Sequence, residues 1–177
     1  MDYVYQKPLD CRRAVGAVLG SFSPLHRGHL NLIYQAKKEC DGGVFVIVCG
    51  CKGDKGYPLM PLEKRYQMVR EFFKDDPLVA VYCLSDDEMG IAGCNDQWDI
   101  WLGHFVDDVV AANIGTTDGF DPARVVFYCG EAEYVRQIAA RGFSTRLVDR
   151  TVLPICATMI RENPMKYWEY IAWTYHL

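Results

Sequence analysis

Gly20-Ser21-Phe22-Ser23-Pro24-Leu25-His26-Arg27-Gly28-His29 follows on the apolar run Ala14 to Gly20 and opens a segment, His26 to Cys40, whose Leu30, Ile33, Ala36 and Cys40 recur at steps of three and four. An apolar run followed by this periodicity predicts strand, turn and helix, and Asp41-Gly42-Gly43 stops the helix. In open α/β sheets that turn is where phosphate binds. Gly20 and Ser21 are small enough for close backbone approach, Pro24 fixes the turn, and Gly28 lets the helix start pack tightly. His26 and His29 share a face of the first helical turn, from which both can donate hydrogen bonds to phosphate oxygens. Taken alone, the two histidines fit an ordinary β-turn-α connection with two surface histidines better than a ligand site.

The same alternation continues in both directions. Val44 to Gly50 predicts a second strand, and a Gly/Lys/Pro-rich loop from Gly50 to Pro61 leads into a helix with Leu62, Tyr66, Val69 and Phe73 on its inner face. Asp75-Asp76-Pro77 ends that helix, and Leu78 to Leu84 is a third strand. Ser85 to Asp96 is polar and aperiodic, a loop long enough to bind something. Trp98, Trp101, Leu102, Phe105, Val106 and Val109 give a pronounced helical pattern, and Asn113 to Pro122 is turn-rich. Val125 to Gly130, Glu131 to Arg141 and Thr145 to Asp149 supply strand, helix and strand, and Tyr167 to Trp173 predicts a closing helix after Asn163-Pro164. The expectation is an α/β fold: a single Rossmann-like, doubly wound, mostly parallel sheet with helices on both faces. It occupies residues 13–177 as one domain behind an amino-terminal extension, residues 1–12.

Composition fits that fold and narrows the partners. A chain of 177 residues, 50% hydrophobic and 24% charged, buries roughly 70% of its unfolded surface and needs neither metal nor disulfide to hold a core. A net charge of −4 gives no broad attraction to nucleic acid, so a small-molecule partner is expected. Of the eight cysteines several lie inside apolar runs, Cys49 and Cys129 among them, and no C-x-x-C pair occurs, so buried free thiols in a reducing compartment are expected rather than disulfides or a protein-bound metal. No stretch approaches a signal peptide or a membrane span, which predicts a cytoplasmic protein.

The full pattern G-x-F-x-P-x-H-x-G-H resembles the signature of the α/β-phosphodiesterase nucleotidyltransferase superfamily, whose members transfer a nucleotidyl group and release pyrophosphate. Near the carboxyl end Ile155-Cys156-Ala157-Thr158-Met159-Ile160-Arg161 resembles its second signature, I-S-x-T-x-x-R, with Cys156 where serine is usual. Arg161-Glu162-Asn163-Pro164-Met165-Lys166-Tyr167-Trp168-Glu169-Tyr170-Ile171 is similar to the R-x-N-P-x-K-Y-W-x-Y-I run of NadR-type nicotinamide mononucleotide adenylyltransferases. Gln97 to Leu102, Gly130 to Val135 and Leu147 to Arg150 also resemble NadR-type segments, in the same order.

That resemblance implies transfer of AMP from ATP to nicotinamide mononucleotide, giving NAD and pyrophosphate. His26, His29 and Arg161 become the expected catalytic contacts. Gly20, Ser21, Phe22, Gly28, Gly130, Glu131, Asp149, Ile155 and Thr158 join them around ATP. Mg²⁺ is the implied cofactor, bound mainly through the ATP phosphates. For the mononucleotide, Trp98 is the expected stacking platform with Asn95 reading the carboxamide, Trp101 being the alternative ring, while Lys64 and Arg65 are expected at the acceptor phosphate, with Lys52 and Lys55 in the loop above them. Two other readings stand beside this one: a related nucleotidyltransferase with another acceptor, such as phosphopantetheine or glycerol phosphate, and a non-catalytic ATP- or NAD-binding sensor. No G-x-x-x-x-G-K-[ST] loop occurs, so no kinase domain is expected. Oligomeric state is not legible.

Overall fold

A computed structural model of the chain describes residues 6–51, 60–94, 97–115, 117–148 and 155–172. Five strands, β1 (Val15–Gly20), β2 (Val44–Gly50), β3 (Val79–Ser85), β4 (Val125–Cys129) and β5 (Ser144–Leu147), form one sheet in the order β3-β2-β1-β4-β5. Every pairing is parallel, with Gly16 beside Val44 on one flank and Val126 on the other. The strand order therefore reverses between β1 and β4, which opens a crevice at their carboxyl ends.

Both faces of the sheet are covered, as the unbroken apolar runs demand. Alternate residues of β2 point to opposite sides: Val44, Val46 and Val48 pack with Ile33 and Ala36 of α1 (Arg27–Glu39) and with Leu62, Tyr66, Val69 and Phe73 of α2 (Leu62–Phe73). Phe45 and Ile47 pack with Trp101, Phe105 and Ile138 on the other face. Those three come from a continuous helical stretch, α4 (Trp98–His104), a π-helical segment (Phe105–Val110) and α5 (Ala111–Ile114), and from α6 (Ala132–Ala139). The wider π turn brings Phe105, Val109 and Val110 inward together, a small departure from the regular period of the sequence.

Two segments differ from expectation, and a third shows how the chain's start meets the core. Within the predicted loop after β3, Asp86–Met89 forms a short helix, α3, with Ser85 accepting the Glu88 N–H at its start and Gly90 left-handed (φ 71°) at its end. From the amino-terminal stretch, Leu9 and Cys11 are buried with the Trp101 cluster, and the Gln6 amide both donates to Val81 O (2.7 Å) and accepts from Val81 N (3.0 Å) on edge strand β3. That pairing occupies backbone groups an edge strand otherwise leaves open. Where a closing helix is expected over 167–173, the described residues 167–172 hold a single 3₁₀ turn, Trp168–Tyr170, after which Ile171 bridges antiparallel to His26 and Ala172 N donates to Leu25 O (2.9 Å). The long-range pairing outcompetes the local period. Among the described residues no helix is long and apolar enough to cross a membrane.

Candidate active site

At the carboxyl end of β1 the chain turns sharply through Ser21, Phe22 and Ser23. Phe22 is fully buried with φ 49°, a left-handed conformation that strains a bulky residue and persists only because its surroundings dictate it. Its ring packs on His29 (centroids 4.6 Å apart). Two guanidinium groups hold the turn. Arg65 Nη1 donates to Ser21 O (2.8 Å), and Arg161 Nη1 donates to Ser23 O (2.9 Å).

The turn runs into α1 through a reciprocal cap built from the two histidines. His26 is the N-cap; its Nδ1 accepts the Gly28 N–H (3.0 Å), and Nδ1 of His29 accepts the His26 N–H (3.2 Å). The imidazoles stack, centroids 3.8 Å apart and 26° from parallel. With each Nδ1 accepting, the hydrogen-bond pattern assigns the ring proton to Nε2. Gly28 is required here, since a Cβ would stand 2.8 Å from His26 Cε1 and 3.2 Å from Ile155 Cγ2.

A cleft of about 520 Å³ lies over the β1/β4 reversal. Of the residues expected from sequence, it gathers Gly20, Ser21, Phe22, His29, Gly130, Glu131, Thr158 and Arg161. His26 is 4% exposed and sits behind His29, where it caps the helix and meets Gly28. Ile155 is buried with Ile160 and Ile171, and this cluster seats α7 (Ala157–Glu162) near the start of α1. Arg161 Nη2 also lies 3.2 Å from the Thr158 hydroxyl, so the second motif meets the first at the cleft. Cys156 is the α7 N-cap and makes no side-chain cap hydrogen bond, a consequence of its thiol being a weak acceptor.

The mononucleotide residues fall differently. Lys64 is exposed on α2 and does not line the cleft. Arg65, expected at the acceptor phosphate, is fully buried, and beyond Ser21 it donates to Met60 O (2.9 Å), Cys49 O (3.1 Å) and Cys51 O (3.0 Å). It fastens the β1 turn to the end of β2 and the start of α2. Its place on the inner face, three residues after Leu62 and four before Val69, was the sequence signal for burial. Trp98 is 2% exposed and packs edge-on against Tyr134 and Trp101, so it forms core here and Trp101 reaches the cleft. Asn95, Asp149, Lys52 and Lys55 lie outside the described residues. The loop expected to bind something does reach the cleft, through Asp86, Gly93 and Cys94, which line it with Trp101 and Tyr134, although sequence reasoning singled out none of Asp86, Gly93, Cys94 and Tyr134 individually.

Two of the cleft's thiols, Cys49 and Cys129, are held in their protonated form. Burial, with a smaller contribution from Glu131, pushes Cys129 up to about 12, and burial raises Cys49 further still. At neutral pH both stay protonated. The cleft is lined by donor side chains, His29, Thr158 and Arg161, and by the carboxylates of Asp86 and Glu131 with the rings of Phe22, Trp101, Tyr128 and Tyr134. Such a site can position and stabilise phosphoryl groups without forming a covalent intermediate.

Parallel sheet, β1 turn and histidine cap together define a nucleotidyltransferase fold, and residues 17–138 match the cytidylyltransferase-like family, to which this chain belongs. Among individual relatives, the trifunctional NAD biosynthesis/regulator protein NadR of Escherichia coli K12 is 27% identical over 90% of this chain and 39% of its own length. A phosphopantetheine adenylyltransferase of Clostridium botulinum is 35% identical over 37% of this chain and 38% of its own. The crystal structure of a NadR protein in complex with NR superposes with a TM-score of 0.70 at 31% identity, covering 89% of this chain and 43% of that one. A NadR protein in complex with NAD and AMP-PNP gives 0.65 at 30% identity, covering 90% and 44%. The chain thus spans about two fifths of the curated relatives it matches.

Proposed function

We propose that this chain transfers AMP from ATP to nicotinamide mononucleotide, producing NAD and pyrophosphate. The observation that carries the proposal is the convergence of His29 and Arg161, from motifs more than a hundred residues apart in sequence, on one cleft at the sheet's reversal point. The similarity to NadR proteins over about nine tenths of the chain supports the choice of acceptor.

In this reading the triphosphate lies against the Gly20-Ser21 backbone, with His29 Nε2–H, Thr158 and Arg161 as donors, and adenosine lies toward Gly130-Glu131. An oxygen of the acceptor's 5′-phosphate attacks the α-phosphorus in line, the new P–O–P bond forms, and the bond to the β-phosphate oxygen breaks to release pyrophosphate. The chain's contribution is alignment and donor groups set where negative charge grows. Among the described residues no group of three His, Cys, Asp or Glu side chains is arranged to hold a metal ion. Mg²⁺ in this reading is held by phosphate oxygens and water, and supplies charge neutralisation to the leaving group.

A second acceptor is kept in view because the phosphopantetheine adenylyltransferase relatives align with over a third of the chain. Purified protein with ATP and Mg²⁺ should be offered nicotinamide mononucleotide, nicotinate mononucleotide, phosphopantetheine and glycerol 3-phosphate in parallel, reading pyrophosphate. The expected result is release with the nicotinamide compound and none with phosphopantetheine or glycerol 3-phosphate. Release with phosphopantetheine alone would transfer the reading to that acceptor, and ATP binding without release would favour a sensor.

A further inference from the structure

One residue of the carboxyl-terminal stretch joins the two motifs. Ile171 pairs through its backbone with His26 in an isolated antiparallel bridge, and its side chain is buried with Ile155 and Ile160, on either side of Thr158 in sequence. The residues beside it tie down the same turn. Arg27, the first residue of α1, has its guanidinium over the Tyr170 ring (5.7 Å to the centroid), and Ala172 N donates to Leu25 O (2.9 Å). That carbonyl belongs to the peptide unit whose N–H, on His26, is accepted by His29 Nδ1 (3.2 Å). The peptide that orients the His29 ring is therefore held at its other end by the carboxyl-terminal stretch.

The second motif depends on such a clasp more than the sheet does. α7 has six residues, too few for a helix to persist on its own in water, and its N-cap Cys156 supplies no side-chain bond. Packing must hold it. Its buried residue is Ile160, which packs with Ile155 and Ile171 in a small cluster distinct from the larger ones on the two faces of the sheet. Ile155 in turn meets the start of α1, where a Cβ on Gly28 would stand 3.2 Å from its Cγ2. A region held by few buried contacts opens at lower cost than the core. Donors that must lie in line with a reacting phosphate tolerate little of this, since a displacement of about 1 Å can cost about a hundredfold in rate.

We propose that Ile171 is a positioning residue for nucleotidyl transfer: it clasps α7 to the start of α1 and so sets Arg161 and Thr158 at their working distance from His29. This rests on the reading that these side chains donate to the phosphates of ATP. Tyr170 and Ala172 act on the first motif alone, through Arg27 and Leu25.

The test measures kcat/KM for ATP with whichever acceptor the wild-type protein turns over, or the Kd for ATP if it turns over none. The variants are Ile171→Ala, Ile171→Val, Arg161→Ala and the double variant of Ile171→Ala with Arg161→Ala. Val109→Ala, a truncation in the Phe105 cluster, controls for lost stability, and thermal melts accompany each. Ile171→Ala should weaken the measured constant by at least about tenfold, while Ile171→Val, which keeps most of the apolar contact, stays within about threefold of wild type. Val109→Ala should melt earlier and also stay within about threefold. In the Arg161→Ala background the Ile171→Ala step should cost less than about threefold, because the donor it places is already gone. The inference is overturned by a folded Ile171→Ala within about threefold of wild type, by an equal loss in both backgrounds, or by Val109→Ala losing as much. It is overturned too if Ile171→Ala fails to fold, which would make the residue a support of the whole domain. A wild-type protein that uses another acceptor changes the proposed substrate and leaves this inference standing; one that does not bind ATP removes the functional reading, and this inference with it.

Discussion

Arg65→Met should cost the folded protein more than about 3 kcal/mol in chemical denaturation, a loss few single substitutions reach. The guanidinium is fully buried and donates to the carbonyls of Met60, Ser21, Cys49 and Cys51. Methionine fills much of the space but leaves these acceptors without their donor in a region little reached by water. Arg65→Lys should recover only part of the loss, because one ammonium on a flexible stem cannot span three separate backbone segments as the planar fork does. This separates a tie between loops from the phosphate contact that the sequence suggested. A phosphate contact would show the opposite pattern: a raised KM for the mononucleotide, near-normal stability in Arg65→Met, and good rescue by lysine.

The second large effect falls on rate. His29→Ala should lower kcat by about a hundredfold to a thousandfold, the range seen when a donor to developing oxyanion charge is removed. It should also cost about 0.5–2 kcal/mol of stability, because His29 Nδ1 accepts the N-cap N–H of α1. His29→Gln separates the two roles. Glutamine at this position serves a capping box well, so stability should return toward wild type, while its amide, turned back so that the oxygen takes the cap N–H, no longer aims a donor where the imidazole Nε2–H points, and kcat stays low. Recovery of both by glutamine would make His29 a capping residue alone.

These two positions also show what the sequence made legible. The strand runs, the turn at Gly20 to His29 and the amphipathic α1 are local patterns, and each lies within about a residue of expectation. The meeting of the two motifs was legible through family resemblance, and the Arg161 to Ser23 carbonyl bond is its structural form. Contacts between distant segments were not legible. Tyr167 to Trp173 has a helical period, yet its outcome is set by Ile171 pairing with His26 and Ala172 bonding Leu25, partners that local spacing does not reveal. Trp98 and Trp101 share a helix face, and only the packing of Tyr134 and Phe105 decides which one meets the cleft. Lys64 and Arg65 read as a basic pair, although the inner-face position of the arginine already separated them.

The most direct test of the central claim is to follow phosphorus. Purified protein with nicotinamide mononucleotide, Mg²⁺ and ATP labelled at the α-phosphate should yield labelled NAD and unlabelled pyrophosphate; ATP labelled at the γ-phosphate should yield unlabelled NAD and labelled pyrophosphate. Label from the γ-position appearing in the nucleotide product, or no labelled NAD from α-labelled ATP under conditions where the protein binds both substrates, would contradict adenylyl transfer to this acceptor.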